Sequence, residues 1–253
     1  MPRLKPATAI IEVYNERDIL PWTVWHLRDQ GCRVYVMDNW STDGSYEILK
    51  SLGVWGWERW PAEPSPVHDL PAVLNRKADL AAGFGPCWII HHDADEIRRT
   101  PWPALSLAEG FKRVEAEGYN AIDHRKYNFW AVDNGYLGDP ESYFRFYLLE
   151  HLDYRLPHVQ AWLNPPGVRV DLSSGAGHHV KFPGLSIHPD KWTLKHYPIR
   201  SQFQGQRKIF RERLPRYRPD LHAQDWHVQY DFASPGGSLL RDPSDLALWK
   251  EST

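Results

Sequence analysis

Three times before residue 100 the chain passes from a short apolar run straight into a cluster of polar side chains, and this repetition restricts the folds open to it. Residues 7–13 read as a buried strand that ends at Tyr14-Asn15-Glu16-Arg17-Asp18. Residues 33–37 read as a second, ending at Asp38-Asn39-Trp40-Ser41-Thr42-Asp43-Gly44-Ser45. Residues 87–91 read as a later strand that delivers His91-His92-Asp93-Ala94-Asp95-Glu96. Between the first two, Leu20, Val24 and Leu27 recur at helical spacing over 19–30, with Asp18 as a candidate cap, Pro21 tolerated in the first turn and Gly31 as the stop. Tyr46, Ile48, Leu49 and Leu52 make the next helical face, residues 53–60 hold a third short strand, and 70–82 form a helix carrying Asn75, Arg76 and Lys77. Strand, helix, strand, loop, helix predicts an α/β protein with a mostly parallel central sheet flanked by helices. The polar clusters then share its carboxyl edge, where open sheets bind ligands.

After residue 100 the pattern weakens. Residues 119–124 and 143–149 read as strands, 164–181 as a loop region or hairpin rich in Gly, Pro and His, and 201–213 as a basic helix bounded by Pro198 and Pro215. A chain of 253 residues suits one domain, 1–253. With 30 basic against 32 acidic side chains, nothing suggests a polybasic nucleic-acid surface. Cys32 and Cys87 have neither metal-site nor disulfide spacing and are expected as reduced core thiols. Residues 1–6 carry no signal-peptide apolar segment and no run reaches the roughly 20 apolar residues of a membrane span, so a cytoplasmic location is expected. The 13 Trp, 12 Tyr and 9 Phe exceed what a core of this size needs, and aromatic faces suit both packing and stacking on sugars or bases.

Asp93 and Asp95 are two apart, so extended backbone would point both carboxylates to one side. Hard oxygen donors of that kind suit Mg2+ or Mn2+, with phosphate oxygens completing the shell. The same tripeptide also serves as a capping turn. Its position at the third of three polar strand ends favours the ligand role.

These segments together, Ile10 to Glu16, Val36 to Ser45 and Trp88 to Glu96, resemble glycosyltransferase family 2 enzymes of the GT-A fold, more weakly again around Lys195 to Arg211. The resemblance implies a nucleotide-sugar-binding half, 1–100, and an acceptor-binding half with a small antiparallel sheet and a C-terminal helical closing segment, 101–253. It implies a donor such as a uridine- or guanosine-diphosphate sugar, held by Tyr14, Glu16, Asp38, Asp93 and one of Arg76 and Lys77, of which Arg76 is favoured. It also implies a divalent cation, Mn2+ or Mg2+, on Asp93, Asp95 and His196 of the segment Lys195-His196-Tyr197-Pro198, with His178 and His179 as competing histidines. Asp43 is expected to order its own loop. Arg200, Arg207 and Lys208 are placed to meet a diphosphate, although such a charge run is also what a solvated helix face looks like.

The acceptor is expected to be a carbohydrate or glycoconjugate hydroxyl. An inverting enzyme needs a carboxylate to deprotonate that hydroxyl. Asp139 and Glu141 are favoured, with Asp133 and Asp171 as alternatives. Tyr127, Phe129, Trp130, Tyr136 and Trp162 either line the acceptor cleft or pack beneath it. The signature of processive polysaccharide synthases and membrane spans are both absent, so transfer is expected to be non-processive. The competing readings are a metal-dependent hydrolase or a nucleotidyltransferase built on residues 91–96.

Overall fold

The computed structural model describes residues 6–148, 157–218, 220 and 230–250. Strands β1 (Thr8–Val13), β2 (Arg33–Asp38), β3 (Gly56–Arg59) and β4 (Trp88–Asp93) form a parallel sheet in the order β3-β2-β1-β4. Helices α1 (Leu20–Asp29) and α3 (Leu70–Phe84) connect them, with the short α2 (Ser45–Ile48) between β2 and β3. Neighbouring residues on the central strands enter different cores. Ile11 and Ile90 join Val24, Leu27 and Trp192 on one face, while Ile10 and Ile89 join Val73, Leu74 and Ala78 of α3 on the other. Burial on both faces is why these strands are continuous apolar runs, and each fully buried Ile, Leu or Val contributes about 1.5–3 kcal/mol.

Local chemistry sets the connections. Asp69 caps α3, accepting from the Ala72 amide at 3.1 Å. Gly31 ends α1 at φ +77°, where a Cβ would lie 2.8 Å from the Ala108 side chain; both its backbone and its close approach require glycine. Asp18, expected to cap α1, does not: Ile19 occupies the cap position without a side-chain bond, and Asp18 turns to Arg200.

The second half extends the same sheet instead of forming a separate small one. β8 (His158–Leu163) runs antiparallel beside β4, followed by β6 (Ala121–Trp130), β7 (Phe146–Leu148) and β10 (Ala247–Leu248). The strand expected at 143–149 is shortened by the helical turn α5 (Pro140–Tyr143), and its last residue lies outside the described ones. α4 (Leu107–Ala116) precedes β6. Two strands depart from the row: β5 (Glu96–Arg99) pairs with the long β9 (Ile187–Ile199), which also runs parallel to β6. After β9, α6 (Gln202–Arg207) continues as a π-helical turn (Lys208–Arg213) and a 3-10 turn (Leu214–Arg216), where the sequence predicts one helix. Cys32 and Cys87 are both buried. Among the described residues no helix is long and apolar enough to cross a membrane.

Candidate active site at the strand ends

The Asp-x-Asp segment is a turn, not extended backbone: β4 stops at Asp93, Ala94 and Asp95 reverse direction, and β5 starts at Glu96. The register of β5 on β9 sets Glu96 opposite His196, and the Tyr197 amide donates to the Asp95 carbonyl at 2.9 Å. A histidine about a hundred residues downstream thereby reaches Asp95, with His196 Nε2 3.6 Å from Asp95 Oδ1. His196 Nδ1 lies 2.6 Å from Asn128 Oδ1, an acceptor, so Nδ1 carries the proton and Nε2 presents a lone pair. Burial, with Lys126 nearby, pulls the ring down to about 3. A carboxylate oxygen therefore faces an unprotonated nitrogen, an arrangement that a cation completes.

The other oxygen of Asp95 is already engaged. Lys208, from the π-helical turn, lies 2.7 Å from Asp95 Oδ2 and 2.9 Å from Glu16 Oε1. Arg200, wholly buried at the end of β9, bonds Glu16 and both oxygens of Asp18 and lies 3.9 Å from Asp95 Oδ2. Arg213 stands 3.5 Å from Glu16. Burial alone would push the Asp95 carboxyl up; the Lys208 ammonium, with His196 and Arg200, outweighs it and holds the group well below the usual carboxylate range. Lys208 is pushed up in turn, the charges of Asp95 and Glu16 overriding burial. The expected solvated helix face is thus wrong for Lys208, which is 4 % exposed because the π-helical turn rotates it inward.

Beside this cluster, Arg216 lies 3.9 Å above the Tyr14 ring and donates to Asn39 Oδ1 at 2.8 Å. Asn39 and His68 both reach Glu12 Oε1, at 2.8 and 3.0 Å. Asp38 is fully buried, accepts from the Ser41 amide and lies 3.4 Å from Arg59. Burial pushes its carboxyl up. Asp43 orders its loop as expected, accepting from Ser45 and from the Arg17 amide.

The preference for Arg76 over Lys77 is reversed. Asp93 and Glu12 share the face of the sheet covered by α3, and Lys77 is the member of the pair that points there, 1 % exposed and 3.3 Å from His91 Nδ1. Burial pulls Lys77 down, against the charges of Asp93 and Glu12. Arg76 turns to the sheet edge, where it forms a fork with Glu58 at 2.6 and 2.9 Å.

Profile comparison matches glycosyl transferase family 2 over residues 8–159, more than half of the chain, including the ends of β1, β2 and β4. The chain belongs to that family. It is therefore a glycosyltransferase, with the mixed α/β sheet of the GT-A fold, and the family implies a nucleotide-sugar donor and an acceptor. No curated protein sequence matches significantly.

Several expected residues of this family 2 enzyme are committed elsewhere. Glu141 is bonded by Arg99 and by Lys195, the latter at 2.7 Å; Lys195 and Arg99 lie on the face of the β5–β9 ribbon opposite His196. Those two cations outweigh burial and hold Glu141 below its ordinary value. Asp139 caps α5, accepting from the Glu141 and Ser142 amides. Of the alternatives, Asp133 pairs with Tyr143, and Asp171 holds Ser173 and Ser174. Phe129, Trp130 and Trp162 are buried in cores, and Tyr127 and Tyr136 pack against the core that holds Phe129.

The three expected ligands Asp93, Asp95 and His196 do not form a preformed metal cluster, and no group of three or more His, Cys, Asp or Glu does so among the described residues. The family match, which makes the chain a transferase, replaces the hydrolase reading. His91 contacts Lys77, and His92 Nδ1 donates to the Asp93 carbonyl. His178 and His179 stay in their loop, where Gly177, at φ +81°, allows close approach to His91.

The buried histidines have a measurable consequence. Burial holds His26 at about 4 and His196 at about 3, and drives His91, His92 and His124 well below the ordinary 6.5. Below pH 6.5 the unfolded chain therefore binds more protons at these rings than the native one, and stability falls with pH. Glu96 acts oppositely: burial raises it to about 7, so between 4.5 and 7 the native state binds its extra proton. Burial raises Asp38 and Glu212 as well, so three carboxyls oppose the five histidines, which outnumber them. The urea midpoint should fall steadily from pH 7 to 5; an unchanged midpoint would contradict these assignments.

Proposed function

We propose that the enzyme transfers a sugar from a nucleoside-diphosphate donor to an acceptor hydroxyl, in a reaction assisted by a divalent cation, Mn2+ or Mg2+, held by Asp95 and His196. The observation that carries this reading is the unprotonated His196 Nε2 aimed at Asp95 Oδ1. Two protein donors fit such a cation because Mg2+ and Mn2+ sites commonly leave the remaining positions to substrate phosphates and water. When bound, the cation supplies Lewis-acid neutralisation of the diphosphate as it leaves.

The protein's own groups do the rest. Lys208, Arg200 and Arg213 bring three positive charges to the same strand ends, where a preorganised setting strengthens their attraction for a departing diphosphate. Tyr14, Asn39 and Glu12 form the nucleoside end: a ring for stacking, and an amide and a carboxylate for ribose or base hydrogen bonds. Lys77 supports Asp93 from beneath.

Thermal denaturation tests this reading. Uridine or guanosine diphosphate at about 100 times its Kd should add about 2.7 kcal/mol when Mn2+ or Mg2+ is present, and the shift should vanish in Asp95→Ala. No shift with any nucleoside diphosphate, cation present, would overturn the donor assignment.

A further inference from the structure

The carboxylates at the strand ends are already neutralised by side chains of the protein itself. Glu16, Asp18 and Asp95 contribute three negative charges; Arg200, Lys208 and Arg213 contribute three positive ones, at 2.5–3.9 Å. The acids come from the β1 end and the Asp93–Glu96 turn, and the bases from the chain after β9, so this cluster also joins the two halves of the molecule. Lys208 Nζ touches Asp95 Oδ2 directly, while Asp95 Oδ1 faces His196. A divalent cation on Oδ1 and His196 would share one carboxylate with the Lys208 ammonium, with the Arg200 guanidinium close by.

Two added positive charges in a buried, balanced cluster are strongly repelled unless an anion enters with them. A diphosphate is such an anion. Its negative charges compensate the cation, and its oxygens give Lys208 and Arg200 alternative partners.

We propose that Lys208 is a resident cation on Asp95 that excludes a divalent metal from the free enzyme, so that metal and nucleoside diphosphate enter as one unit. The proposal rests on the cation assignment made under Proposed function. Metal and nucleotide should tighten each other's binding by the same factor, because coupling between ligands is reciprocal.

The test counts bound Mn2+ by electron paramagnetic resonance on the full chain, with and without uridine or guanosine diphosphate. Wild type should bind Mn2+ at least about tenfold more tightly with the nucleotide than without, within the ordinary range of a ligand coupling. Lys208→Met should bind Mn2+ alone more tightly than wild type, and Lys208→Arg, which keeps the charge, should not. Equal Mn2+ affinity of wild type with and without nucleotide overturns the proposal while leaving the cation site intact. So does a folded Lys208→Met that gains nothing. If Lys208→Met fails to fold, the wild-type coupling and its reciprocity decide. No bound Mn2+ in any arm, nucleotide included, overturns the cation assignment and this proposal together; the melting shift with nucleotide then tests the donor reading separately.

Discussion

Replacing Arg200 by Met should destabilise the protein by about 3–5 kcal/mol and lower its melting temperature by roughly 6–20 °C. Arg200 has no exposed surface and bonds Glu16 and Asp18, which come from the β1 end some 180 residues earlier. Its removal leaves Glu16, 2 % exposed, with Lys208 and the more distant Arg213 as the remaining cations. Breaking one partner out of a buried network costs far more than an exposed ion pair is worth, which is at most about 1 kcal/mol. Arg113→Met is the control, because its bond to Glu117 joins two side chains that are 48 % and 40 % exposed. Equal melting shifts in the two variants would show that the strand-end cluster is not structural.

Asp95→Asn should lower kcat/KM by about 10²–10³, the usual cost of one preorganised electrostatic group at a developing charge. The substitution keeps the size of the side chain and removes the charge that Lys208 and His196 face. Most of the loss should appear in kcat, because the interaction matters most as the diphosphate departs. Glu141→Gln provides the contrast: with Glu141 held by Arg99 and Lys195 on the other face of the ribbon, kcat should stay within a few-fold of wild type. A steady-state assay over several pH values separates the two.

How far the sequence could be read followed from how local the signals were. The parallel half was legible because strands buried on both faces are apolar runs, and each ended in side chains too polar for a core. Asp95 and His196 were picked out from short motifs, and β9 brings the two within 3.6 Å. That strand itself was hidden: Ile187–Ile199 contains Pro189, Pro198 and several charged residues, none of which reads as a strand. Helix α4 had a usable signal in Ser106-Leu107-Ala108-Glu109, a complete capping box. Glu12 was another, a carboxylate inside the apolar run Ile10-Ile11-Glu12-Val13, and it proves to organise His68 and Asn39.

The remaining site residues depended on tertiary geometry. Arg76 and Lys77 are adjacent, and only the packing of α3 against Asp93 selects Lys77. Lys208 and Arg216 lie in a basic stretch with the composition of a solvated helix; the π-helical and 3-10 turns bring them inward. Glu141 and Asp139 fell on a plausible acceptor-side turn, but the alternation of β9 puts Glu141 behind the sheet, and Asp139 is spent as a cap.

The central claim is that the strand-end cluster around Asp95 is where a nucleotide sugar is held and cleaved. Incubating wild type and Asp95→Asn with a panel of nucleotide sugars, Mn2+ present and acceptor absent, and measuring the nucleoside diphosphate released, tests it most directly. The account predicts slow hydrolysis of at least one nucleotide sugar by wild type and its loss in the variant. Undiminished hydrolysis by Asp95→Asn would contradict it.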